Sequence, residues 1–150
     1  LVENRRAVRR ALLPILVALV AGSVTAVASA LALGWAFGLP EEVLVSLAPK
    51  SVTTPIAMGI AERLGGIPSL AAVLVIATGI IGAITVTPLM NAMRIRDYAA
   101  RGFAVGVASH GIGTARAFQV DPVAGTFAGI AMALNGLLTA LVVPLVLALR

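Results

Sequence analysis

The 150-residue chain is 60% hydrophobic and only 11% charged, with a mean hydropathy of +1.07. A soluble domain carries roughly 25% charged residues, so this composition excludes a water-soluble globule and points to an integral membrane protein. The net charge of +5 does not indicate nucleic acid, because the arginines flank apolar runs and form no basic stripe interleaved with aromatics.

Residues 1–10 form a basic cap carrying Arg5, Arg6, Arg9 and Arg10. No charge follows until Glu41. A bilayer takes about 20 apolar residues, so residues 10–40 are expected to cross once. The run is also too long for a signal-peptide core of about 7–15 residues. Pro14 is expected in the first turns, where proline does least harm. Trp35 lies near the far end, placed for the interface or for packing, and Gly38-Leu39-Pro40 ends the span.

Residues 41–64 read as a broken helix. Glu41 to Ala48 is one short half, and Ile56 to Leu64 is the other. Between them Pro49-Lys50-Ser51-Val52-Thr53-Thr54-Pro55 sets an ammonium and three hydroxyls between two prolines. Proline supplies no backbone N–H, and it pushes the preceding residue out of α geometry. Non-helical backbone at membrane depth is tolerated only inside protein or beside a wet cavity. An ionisable residue there is a functional-site candidate. The competing reading is a polar surface loop.

Residues 67–93 restart after Gly65-Gly66, with Pro68 suited to a first turn, Pro88 expected to kink the span, and Arg94-Ile95-Arg96-Asp97 as a charged loop. Residues 97–120 repeat the broken theme. Tyr98 to Ala108 is one half, Ser109-His110-Gly111-Ile112-Gly113-Thr114 is a polar break, and Ala115 to Val120, with Arg116, is the remainder. Gly111 and Gly113 are expected to supply unusual φ values there. Asp121-Pro122 signals a helix start for a third span over 122–149. Gly102-x-x-x-Gly106 and Gly125-x-x-x-Gly129 offer small faces for close helix contact, and Asn91 and Asn135 can join helices by hydrogen bonds.

The fold expected is therefore all-α and integral to the membrane. A single domain over 1–150 has three continuous spans and two broken helices, re-entrant or unwound. Arginine placement favours re-entrant hairpins, since Arg94 and Arg96 prefer the cytoplasm and residue 66 must then lie outside. Units 41–93 and 97–149 would then be inverted repeats, a transporter design. With no cysteine, one histidine and no Ser/His/Asp spacing, no catalytic site, cofactor or metal is expected.

The stretches Pro49–Ala57, Gly65-Gly66-Ile67-Pro68 and Ala108–Ala117 resemble the LrgB/CidB family, with a match from about residue 45 to 149. The resemblance implies a multi-pass protein of the bacterial plasma membrane, antiholin- or holin-like, that modulates murein hydrolases and autolysis. Relatives are implicated in moving small carboxylates: glycolate and glycerate in plastids, pyruvate in bacteria. It also implies a homo-oligomer or an LrgA/CidA-like partner. Family members usually have further membrane segments upstream, so this chain is expected to be a C-terminal portion.

A small carboxylate needs positive charge and N–H or O–H donors. Lys50 supplies a point charge, and Arg116 a bidentate fork. Ser51, Thr53, Thr54, Ser109 and Thr114 supply hydroxyls, with Gly111 and Gly113 between. The helix restarts offer N–H groups and a positive dipole end. His110 can couple protons to transport or bond to nearby backbone. Lys50 can equally snorkel outward, Arg116 pair with Glu62 or Asp121, and the hydroxyls satisfy freed backbone groups.

Overall fold

The computed structural model describes residues 5–148, with side chains from Leu12 to Leu147. The described residues are helical, with α1 Arg5–Ala36, α2 Glu41–Leu47, α3 Thr54–Arg63, α4 Pro68–Ala92, α5 Tyr98–Val120 and α6 Pro122–Ala148. Three stretches are long and apolar enough to cross a membrane: Leu12–Ala36, Pro68–Ala92 and Pro122–Leu147. Helix α1 takes in Arg5 to Arg10, so Pro14 lies in its interior and not in its first turns. That position removes one N–H and leaves a carbonyl one turn earlier without its helical partner.

Turn chemistry fixes the ends of these helices. Gly65 adopts φ 80° and Gly66 N–H donates back to Ala61 O at 2.8 Å, a left-handed C-terminal cap on α3. Asp97 Oδ1 accepts from Ala100 N at 2.8 Å at the start of α5. Asp121 Oδ1 accepts from Val123 N at 2.8 Å and Ala124 N at 3.2 Å at the start of α6. Each carboxylate satisfies N–H groups that a helix start leaves unpaired.

Helices α2 and α3 form a hairpin. Ser46 Oγ accepts from Ile67 N at 2.7 Å, joining the last turn of α2 to the residue before α4. Leu44 of α2 and Ile60 of α3 share one core cluster. The ten residues of α3 rise about 15 Å, half the roughly 30 Å hydrocarbon core, so neither α2 nor α3 is long enough to span it alone.

Helix α5 also folds back on itself. Ser109 (φ −133°, ψ 17°) and His110 (φ 42°, ψ −133°) leave helical geometry and divide α5 into two arms. A Cβ on Gly113 would lie 3.1 Å from Val105 O, whereas eight residues of straight helix separate atoms by about 12 Å. The break is confined to two residues, shorter than the 109–114 stretch expected from sequence. Gly111 and Gly113 do not carry the positive φ; His110 does. Gly113 is needed for space, since a Cβ there would also meet Ser109 Cβ at 2.6 Å.

The two hairpins enter from opposite ends. Val27 and Leu31 near the end of α1, with Val143 near the end of α6, pack on Leu44, Ala48 and Ile60 of the first hairpin. Ile15 and Leu19 near the start of α1 pack on Phe103 and Val107 of the second. Ala124 and Ala128 near the start of α6 pack on Val105 and Ala117. Helices α5 and α6 approach backbone to backbone, where a Cβ on Gly102 or Gly106 would overlap the Ala124 or Ala128 carbonyl. Gly129, by contrast, faces open space, so Gly125-x-x-x-Gly129 makes no joint contact face.

Candidate functional site

The tips of the opposed hairpins are held at one level by Asn135, a residue of α6 that is 1% exposed. A helix end leaves carbonyls without partners. The reversal at Ser109–His110 frees Val107 O, and the turn between α2 and α3 frees Ser51 O. Asn135 Nδ2 donates to both, at 3.1 Å and 3.2 Å. Thr139 Oγ1 donates to Asn135 Oδ1 at 3.5 Å, and Ser23 Oγ of α1 lies 3.4 Å from Thr139 Oγ1. The sequence marks Asn135 only for helix association; its link to both tips depends on contacts across 84 and 28 residues.

Small residues on α4 make room for the second tip. A Cβ on Gly82 would overlap Ser109 Oγ, and one on Gly79 would lie 2.9 Å from His110 Nε2. His110 Nε2 sits 2.8 Å from Val75 O. A carbonyl only accepts, so Nε2 carries the proton and donates. His110 is thereby used to join α5 to α4.

A cavity of about 1060 Å³ runs between α1, α4 and the first arm of α5. Lys50, Ser51 and Ser109 line it from the two tips, and Thr78 lines it from α4. The remaining lining among the described residues is apolar, including Ile15, Leu74, Ile81, Phe103 and Phe127. Ser51 and Ser109 are buried, at 7% and 2% exposure. Among the described residues neither hydroxyl has a hydrogen-bond partner, and no buried polar side-chain atom lacks one. Each oxygen therefore keeps exposed surface.

The ten residues singled out from sequence divide between four places. Lys50, Ser51 and Ser109 share the cavity. Thr53 and Thr54 open α3, half-buried, and the Thr53 side chain does not cap it. His110, Gly113 and Thr114 are buried in the hairpin joint, where Thr114 Oγ1 donates to His110 O at 2.7 Å; Gly111 beside them is exposed. Arg116 lies elsewhere. It lines a small pocket at the base of the second hairpin, between its arms, with Tyr98, Arg101 and Thr87. Its Nη1 donates to Gln119 Oε1 at 3.3 Å, while Asp121 caps α6. The expected meeting of Lys50 and Arg116 in one chamber is thus not formed, because the turn at His110 sends the second arm back toward the base. The neighbouring Arg101 is held by Ile95 O at 2.7 Å and by the Asn91 carboxamide. Among the described residues no group of His, Cys, Asp and Glu is placed to hold a metal.

Compared with known families, the chain matches the LrgB-like family over residues 1–149. The chain belongs to that family. Among curated relatives, this LrgB-like chain is 40% identical over 102 residues to the uncharacterized protein YwbG of Bacillus subtilis, covering 68% of the chain and 45% of YwbG. It is 37% identical over 133 residues to YxaC of the same organism, covering 89% and 58%. It is 33% identical over 114 residues to the holin-like protein CidB of Staphylococcus aureus, covering 76% and 50%. The chain thus spans about half the length of these relatives. No solved structure matches it. Family membership and the three apolar helices together make it a multi-pass membrane protein.

Proposed function

We propose that the LrgB-like protein transports small organic anions across the membrane, carboxylates of the glycolate, glycerate or pyruvate kind. One observation carries this reading: Lys50, Ser51 and Ser109, from two opposed hairpins, line one cavity. Broken helices meeting midway, with irregular backbone inside the protein, are how secondary transporters build a substrate site. In this reading the Lys50 ammonium neutralises the carboxylate, and the two hydroxyls replace donors lost with its water. The uncapped start of α3 adds N–H groups and a positive dipole end at the same tip. The proposal sets the protein in the bacterial plasma membrane, with Arg94, Arg96 and Arg101 at the cytoplasmic face by the positive-inside rule. Arg116 serves at the base of the second hairpin and does not hold substrate.

The test is uptake of two- and three-carbon acids into proteoliposomes carrying the full-length protein. Saturable uptake abolished by Lys50→Ala, with membrane insertion intact, is expected. A second reading follows from the printed name of the CidB relative: an oligomeric holin- or antiholin-like protein, alone or with an LrgA/CidA-like partner. It predicts dye leakage that scales with oligomerisation and survives Lys50→Ala.

A further inference from the structure

We infer that the cavity is shaped for a monocarboxylate with an apolar tail, and that polyhydroxylated acids and dicarboxylates fit it poorly. This rests on the transport reading above and narrows its substrate class.

The polar groups gather at one level. Lys50 and Ser51 come from the first tip, Ser109 from the second, and Thr78 from the α4 face against which that tip packs. Two of these hydroxyls belong to side chains more than nine-tenths buried, lack any hydrogen-bond partner among the described residues, and keep their oxygens at the cavity surface. A hydroxyl at the cavity surface with no protein partner can donate to a ligand that enters there. Among the described residues Lys50 is the one ionisable side chain in the lining. A single ammonium neutralises a single carboxylate. A second carboxylate would enter the apolar part with no counter-charge.

Away from that level the lining changes character. From Ser109 the cavity follows the first arm of α5 to Ala99, ten residues and about 15 Å of helix. Among the described residues that stretch offers Phe103 and Phe127 and no hydrogen-bonding side chain. Hydroxyls of a glycerate-like acid would be unpaired there, whereas a branched alkyl tail gains by leaving water. The volume of about 1060 Å³ stands at the top of the roughly 300–1,000 Å³ usual for small-molecule sites. A three-carbon acid would leave most of it unfilled.

The experiment measures uptake by the full-length protein in proteoliposomes with pyruvate, 4-methyl-2-oxopentanoate, glycerate, succinate and oleate. The half-saturation concentration for 4-methyl-2-oxopentanoate should be lower than for pyruvate by about tenfold or more, since each apolar carbon placed in a pocket discriminates strongly. Ile81→Ser should shrink that ratio to about threefold or less. Ile81 lines the cavity and is 61% exposed, so the variant keeps its fold. Pyruvate, glycerate or succinate taken up as tightly as the branched acid overturns this inference and leaves anion transport standing. Oleate competing more tightly than the branched acid assigns the groove to bilayer lipid and overturns it too. Uptake of no acid at all removes the transport reading and this inference with it.

Discussion

His110 carries two burdens that can be separated by substitution. Its backbone sits at φ 42°, a value that side-chain-bearing residues resist, and its ring donates to Val75 O across the joint with α4. Alanine loses the hydrogen bond and keeps the backbone cost. Glycine loses the same bond and relieves the backbone, which is worth about 1–3 kcal/mol at such positions. In thermal unfolding in detergent, His110→Ala should therefore be the less stable of the two variants, and the reverse order would contradict the turn described. Arg116 is a second residue-scale case. It is bonded to Gln119 in a pocket that shares no residue with the Lys50 cavity. Arg116→Ala should change the half-saturation for carboxylate by about twofold or less, while Lys50→Ala abolishes uptake; equal loss in both would restore a shared site.

Among the elements, contact between α5 and α6 is set by the smallest side chains. Gly102 and Gly106 press on the Ala124 and Ala128 backbones, where no Cβ fits. Overpacking of this kind costs about 1–3 kcal/mol, and here the obstacle is backbone, which cannot rotate aside. Gly106→Val should destabilise by at least that amount. Gly129→Ala, which meets nothing within 4 Å, should be neutral or gain up to about 1 kcal/mol from helix propensity. Equal melting shifts for the two would refute this division of the glycines. Gly82 makes the same kind of allowance on α4 for Ser109. These roles separate Gly102-x-x-x-Gly106, which is used, from Gly125-x-x-x-Gly129, which is half used: Gly125 meets Phe118 and Gly129 meets nothing. The two motifs look alike on paper because spacing records a face and not what approaches it.

For the whole molecule, the opposed hairpins make a statement about sides. The chain contains no cysteine, so single cysteines can be introduced without background. With an impermeant maleimide, Glu41→Cys and Gly65→Cys should label from the same face and Arg96→Cys from the other. Labelling of residues 41 and 65 from opposite faces would mean that α2 and α3 cross fully, and the hairpin would be lost. Asn135 belongs at this scale as well, since its two donors join tips that come from different ends of the chain. Replacing it with leucine leaves two carbonyls unpaired at about 1–3 kcal/mol each.

Much of this architecture is written in local chemistry. Charge-free runs of sufficient length specify three spans, because a bilayer admits few charges and demands about 20 apolar residues. Prolines 49 and 55 specify the first interruption, and Asp121-Pro122 specifies the start of α6, because both act on the backbone within one turn. The second interruption is legible within residues 109–114, where Ser109 and His110 carry it, but the residue that takes the positive φ is not. Which residue takes the reversal depends on Gly79 and Gly82 receiving the His110 and Ser109 side chains from another helix. In the same way Lys50, Ser51 and Ser109 come together, and Arg116 stays apart, because packing between α4, α5 and α6 decides which way each arm runs. Composition and spacing determine what a segment can do alone. Only the tertiary fold, through contacts between segments dozens of residues apart, decides which polar groups meet.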